Sequence, residues 1–244
     1  MRRPNLTTST IAIAIGGLLT LGIMSESAFA NWQTDDLRQG LPGRRISGGS
    51  RSPSTACLTT PNQPVIALIP EENVGLTLSE HPTFWFSLPA VSNDRELEFG
   101  LFDETGEVVY QKTFEASGKA GITHLSLPET TTALETDTAY RWYLSVVCDP
   151  ESRAEDLFVT GWIERIQPGN EMRQQLATAT SQERLALYEE SALWYDALTT
   201  LAELRQNNPT AIDLTQRWSK LLESVSLAQA ISAPLNSPIE NTSL

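Results

Sequence analysis

The residues able to do chemistry in this 244-residue sequence are few and scattered. Its two histidines are His81, ahead of Pro82 at the entrance to an alternating run, and His124, inside another such run. Neither sits in a His-Glu-x-x-His spacing, and the sequence has no nucleophile elbow or glycine-rich phosphate loop. Paired carboxylates could serve glycoside hydrolysis, one as proton donor and the other as nucleophile or base. Asp103 with Glu104 and Asp149 with Glu151 are such pairs, but both fall in turn-like stretches where acids are commonplace. Asp149, Glu151, Glu155 and Asp156 offer oxygen ligands for calcium, without the regular spacing of a calcium loop, and read as a solvated turn. Two dispersed histidines and two cysteines make no zinc set. The expectation is a protein that is not an enzyme, with no catalytic residue, no cofactor and no metal.

Cys57 and Cys148 are the only cysteines, and neither lies in a Cys-x-x-Cys motif, so redox catalysis is not expected. In an oxidising compartment they pair with each other. That bond closes a loop of about 90 residues and is worth roughly 4 to 5 kcal/mol at most. Free thiols or a bond to another chain are the alternatives. The aromatic residues offer a binding surface instead of a reaction. Trp85 points away from the face shared by Phe84 and Phe86, and Arg141 and Tyr143 oppose the face of Trp142. If those strands are neighbours, Trp85, Arg141 and Tyr143 form an aromatic and cationic patch able to bind a sugar or a peptide. The competing reading is that a helical segment covers this face and completes a second small core.

Compartment and charge narrow the partners. Arg2 and Arg3, the apolar run of residues 11 to 23 and Ala28-Phe29-Ala30 make a signal peptide, residues 1–30, cleaved after Ala30. Thirteen apolar residues are too few for a spanning helix, which takes about 20. Asn31 stands where a lipoprotein needs cysteine, so no stable membrane insertion is expected after cleavage and the protein is periplasmic or secreted. Removing Arg2, Arg3 and Glu26 from 17 basic and 30 acidic residues leaves 15 against 29. Such an acidic chain repels phosphate backbones, so nucleic acid is not a partner.

The elements that must position these residues fall into zones. Residues 31–56 are rich in Gly, Ser, Pro and Arg and read as a flexible linker. Residues 57–168 read as an antiparallel β-sandwich, with alternation at Thr83–Leu88, Glu96–Leu101, Gly121–Pro128, Tyr140–Cys148 and Leu157–Ile166. The turn Asp103-Glu104-Thr105-Gly106 makes a hairpin of residues 96 to 114. Residues 169–231 change to helical spacing. Asn170 caps a short helix, Thr180 with Glu183 and Thr210 with Asp213 are capping-box patterns, and Asn207-Asn208-Pro209 is a stop. The helices are expected to pack on each other and on the sandwich. Residues 232–244 read as a disordered tail.

The run from Leu134 through Tyr140 into Arg-Trp-Tyr-Leu-Ser-Val-Val resembles the sixth-strand region of immunoglobulin and fibronectin type III domains, with Tyr140 as a corner tyrosine. Cys148 stands eight residues after that tyrosine, unlike the antibody pattern, so its bond would tie the entry segment to the strand's far end. The stretch from Leu185 through Trp194-Tyr195-Asp196-Ala197-Leu198 to Pro209 is similar to one tetratricopeptide repeat, with Ser191 at the usual turn glycine. GLPGRR (40 to 45), PTFWF (82 to 86), VCDP (147 to 150), FVTGWIERI (158 to 166) and YEESALWYDALTTLAELR (188 to 205) together resemble an exported, mostly cyanobacterial family catalogued as a domain of unknown function, number 928. That resemblance implies a bacterial envelope or secreted protein and implies no activity. The resulting expectation is a non-enzymatic protein-binding or adaptor module whose partner is another envelope protein. A carbohydrate-binding protein that takes a glycan is the first alternative, and a hydrolase with an unrecognised carboxylate site is the second.

Overall fold

The computed structural model describes residues 43–47, 57–59, 63–70, 74–92 and 94–239. These hold eight strands: β1 (Ile66–Ala67), β2 (Val74–Thr77), β3 (Thr83–Leu88), β4 (Glu96–Phe102), β5 (Val108–Glu115), β6 (Gly121–Ser126), β7 (Thr138–Val147) and β8 (Leu157–Arg165). Four helices follow: α1 (Asn170–Thr178), α2 (Ser181–Glu190), α3 (Trp194–Asn207) and α4 (Ile212–Glu223). The fold is α+β. One sheet runs β1-β3-β6 and the other β2-β8-β7-β4-β5.

Alternation places the core. Phe84 and Phe86 of β3 face Phe99 of β4 and Trp142 of β7, and the Phe84 ring lies 5.0 Å from Phe99 and 5.7 Å from Trp142. The expected hairpin of residues 96 to 114 is β4 with β5, and Asp103 closes its turn by accepting from the backbone N–H groups of Thr105 and Glu107. One pairing departs from an all-antiparallel sandwich: β2 lies parallel to β8, Val74 beside Trp162 and Thr77 beside Arg165. Nothing in the alternation of so short a strand signals its direction. At the foot of β7 the backbone N–H of Glu135 donates to the hydroxyl of Tyr140, 2.8 Å away.

The helices are built on the sheets. Thr180 and Glu183 form the capping box that opens α2. The other two expected caps differ: α1 starts after Gly169, with Asn170 as its first residue, and α4 is capped by Ala211 with no side-chain bond from Thr210. In Thr210-Ala211-Ile212-Asp213 the shorter aspartate stands where a capping box has Glu or Gln. Between α2 and α3, Ala192 takes φ +55°, the left-handed conformation a turn glycine would adopt freely. Helix α3 then inserts its first turn against the sheets. Tyr195 lies edge-on to Phe84, accepts from Trp142 Nε1 at 2.9 Å and donates to the Trp162 carbonyl at 3.1 Å. Gly75 of β2 lets that ring approach, because a Cβ there would meet it at 2.6 Å. Trp194 donates to the Leu68 carbonyl at 2.7 Å. In α4 the buried Trp218 packs beneath Arg205 of α3, whose guanidinium lies 4.7 Å from its ring.

Two stretches read as unstructured are built in where the structure describes them. Within the 31–56 linker, residues 43–47 bridge the two sheets: Arg44 accepts from Thr160 N–H, Arg45 accepts from Ala67 N–H, and Ser47 N–H donates to Val65. The Arg45 guanidinium reaches the carbonyls of Ile69 and Val225. Within the 232–244 tail, Pro234 to Ile239 runs along the free edge of β6, with bonds from Ile122 N–H to Pro234, Asn236 N–H to Ile122 and Ile239 N–H to His124. Both segments are held by backbone bonds, which leave no hydrophobic period to read. Residues 1–30, where a signal peptide is expected, lie outside the described residues. Among those described, no helix is long and apolar enough to cross a membrane.

One group under α3 has a measurable pH signature. Asp196 is half-buried, accepts from Leu78 N–H at 3.1 Å, and burial pushes its pKa up to about 6 from an ordinary 3.8. The folded chain therefore holds this proton more tightly than the unfolded chain, and that contribution fades as pH rises through about 6. Asp196→Asn is expected to gain about 1 to 2 kcal/mol at pH 8, discounted for partial exposure, and little at pH 4. Thermal melts of both chains at the two pH values check the difference.

Candidate functional site

Of the three residues expected to share one patch, the structure brings two together. Trp85 is on the outer face of β3, but α3 covers it. Its exposure is 3 %, its Nε1 donates to Thr199 Oγ1 at 3.0 Å, and its ring stacks on His124 at 4.3 Å. Arg141 and Tyr143 are on β7, in the other sheet. The patch of Trp85, Arg141 and Tyr143 therefore does not form, because the helices bury their own stripe against the Trp85 face.

Arg141 and Tyr143 instead line a groove of about 760 Å³ on the outer face of the five-stranded sheet. Strand register builds it. Gly100 of β4 and Thr160 of β8 flank Tyr143, and Phe102 and Trp162 flank Arg141 in the next row. Glycine at 100 lets the Tyr143 ring lie down across β4, since a Cβ there would run into that ring. Phe102 stacks on it at 5.9 Å with 19° between the planes. The Tyr143 hydroxyl donates to Glu98 and accepts from Gln111 Nε2 at 3.1 Å. At the far side, Phe158 is 37 % exposed and carries the Arg44 guanidinium 4.6 Å from its ring centre.

The charges of this groove are unevenly paired. Arg153 binds both of its carboxylates, Glu98 at 2.7 Å and Asp156 at 2.6 Å. The Tyr143 hydrogen bond and then Arg153 hold the Glu98 carboxyl below its ordinary range, while burial, and then the bond to Glu98, push the Tyr143 phenol up to about 12. Glu98 is thus a fixed anion and Tyr143 a fixed donor, the opposite of a proton-transfer pair at neutral pH. The guanidinium groups of Arg44 and Arg141 have no ion pair among the described residues; each lies by an aromatic ring, Arg141 at 5.8 Å from Phe102.

The remaining chemical candidates are turn formers. Asp103 also accepts from the Thr105 hydroxyl at 2.7 Å, and this bond first of all keeps its carboxyl below the usual range. Asp149 accepts from Glu151 N–H, and Asp156 accepts from Cys148 N–H, Ser145 and Arg153. His81 Nε2 bonds the Thr131 carbonyl at 3.0 Å. Cys57 and Cys148 are joined to each other, across 91 positions of sequence.

A second groove, about 730 Å³, lies among α2, α3 and α4 and shares no lining residue with the first. Its floor holds Tyr188, Trp194 and Leu221, and its rim holds Gln216 and Lys220. Arg217 fixes one wall through a bidentate pair with Glu189, 2.7 Å at its shortest. Alternation around Trp142 made Arg141 and Tyr143 readable in advance. Arg44 and Phe158, which line the groove, and Gly100, beneath the Tyr143 ring, were missed, because they come from other strands and from the segment read as a linker.

Residues 46–235 match a family model described as Domain of Unknown Function (DUF928), beginning just past the GLPGRR run. No curated protein matches the chain.

Proposed function

Because the chain belongs to the DUF928 family, whose description assigns no activity, we propose its function from its surfaces: a non-catalytic adaptor of the bacterial, cyanobacterial-type cell envelope. The observation that carries this reading is the pair of separate grooves, one on a sheet and one among helices, held on one packed body. An adaptor needs two surfaces that can be filled at once. Export by the segment 1–30, with cleavage after Ala30, belongs to the same reading, and the Cys57–Cys148 bond suits an oxidising compartment. An immunoglobulin-like sandwich agrees with the Tyr140 hydroxyl accepting from Glu135 at the foot of β7, although the parallel β2 is a departure. A tetratricopeptide-like hairpin agrees with α2 and α3 joined at Ala192. The non-catalytic part rests on Glu98 and Asp156 being neutralised by Arg153.

The test is retention of envelope components from native extract by residues 31–244. A sheet-groove variant (R141A with F158A) and a helix-groove variant (Q216E with K220E) are run beside it. The expected result is that each variant loses a different component, both of which the parent chain retains together. Retention unchanged in either variant overturns the adaptor reading. Turnover of a glycosidic, ester or peptide substrate by the parent chain overturns its non-catalytic part.

A further inference from the structure

We infer that the groove on the five-stranded sheet binds an anionic saccharide, a chain of uronic-acid rings; this rests on the reading of that groove as a binding surface. Four observations lead there. The groove is lined by the aromatic rings of Tyr143, which lies across Gly100, and of Phe158 and Trp162. Pyranose rings present C–H faces that pack on such surfaces. The groove's two carboxylates are already bound by Arg153, whereas Arg44 and Arg141 keep guanidinium forks with no ion pair among the described residues. In a chain whose formal net charge is −13, this leaves a local cationic site. Guanidinium forks match carboxylates in bidentate geometry.

The sheet also argues against a peptide. The backbone groups of β4 and β7 are spent on ladder pairing within the sheet, and the Thr160 N–H of β8 is taken by the Arg44 carbonyl, so these positions offer no main-chain donors to a peptide backbone. What remains are side-chain groups such as Thr160 Oγ1, which accepts from Arg44 N–H at 3.0 Å and keeps its own proton to donate to a hydroxyl. A volume of about 760 Å³ lies in the range that encloses a ligand of a few rings.

Calorimetry on residues 31–244 tests this with three probes: galacturonate hexamer, cellohexaose and hexaglutamate. The uronate hexamer is expected to bind, to weaken with added salt, and to lose about 10-fold or more in affinity in R44A and again in R141A. Neither arginine side chain holds an ion pair among the described residues, so both variants should keep the parent melting temperature, and K220E in the helix groove should bind as the parent does. Equal binding of cellohexaose overturns the anionic part, and preference for hexaglutamate assigns the face to an acidic protein and overturns the saccharide. No binding of any probe, while R141A with F158A still loses a component of envelope extract, overturns the saccharide and leaves the groove a binding surface.

Discussion

A chain that ends at Pro168 is expected not to fold, although it contains every strand of both sheets. The helices are part of the core that the two sheets share. Without α3, Trp142 Nε1 loses its buried acceptor, the Trp162 carbonyl loses its donor, and Gly75 faces an empty slot where the Tyr195 ring packs. Trp85 would pass from 3 % exposure to open solvent together with its stacking partner His124. The residues of β6 would also lose Pro234 to Ile239 from their edge. Burying one large aromatic side chain contributes about 4 to 6 kcal/mol at the upper bound. The loss of Trp194, Tyr195 and the cover over Trp85 is therefore comparable with the whole margin of a typical domain, roughly 5 to 15 kcal/mol. Near-ultraviolet circular dichroism and thermal melts of residues 31–168 beside 31–244 decide it. A cooperative melt of the shorter chain would make the helices an appended unit.

The second large effect belongs to the disulfide. Changing Cys57 and Cys148 together to alanine is expected to destabilise the chain by about 2 to 5 kcal/mol, since the bond closes a long loop of the unfolded state. Both cysteines are buried, so alanine leaves no exposed polar group behind. For a protein of this length each kcal/mol is roughly 2 to 4 °C in melting temperature. A fall of about 4 to 20 °C is thus expected by calorimetry, with the same fall in the parent chain under reductant. A change below about 3 °C would mean that the bridge from Leu58 to Val91 and the bond from Thr59 to Ala90 hold the entry segment without the bond.

What could be read in advance follows from which forces leave a periodic trace. Strands β4 and β7 bury one face and alternate, which made the hairpin β4–β5 and the inward set Tyr140, Trp142, Leu144 and Val146 legible. The same alternation set Trp85 apart from Phe84 and Phe86, but alternation cannot say what lies above a face, and here it is Thr199. β1 is two buried residues inside the apolar run Val65 to Ile69, and β2 carries a glycine because a tyrosine from α3 occupies its side-chain space. Arg44 and the segment from Pro234 are tied by main-chain bonds to Thr160 and to Ile122 and His124, more than 100 positions away, and main-chain bonds select no residue type. Arg44 and Phe158 of the groove were hidden for the same reason: their neighbourhood is made by sheet order, and no spacing within one strand contains it.

The segment laid along β6 also sets a clock. Thr123 and Ser237, which bond to each other, are 114 residues apart, so synthesis delivers the strand long before the piece that covers it. At about 5 to 20 residues per second, roughly 6 to 23 s pass between the two. In the part of that interval that follows α3, the nascent chain presents β6 with an unpaired row of donors and acceptors, open to a neighbouring chain. Translation speed, beside the stability of the finished fold, then bears on how much of the chain escapes strand exchange.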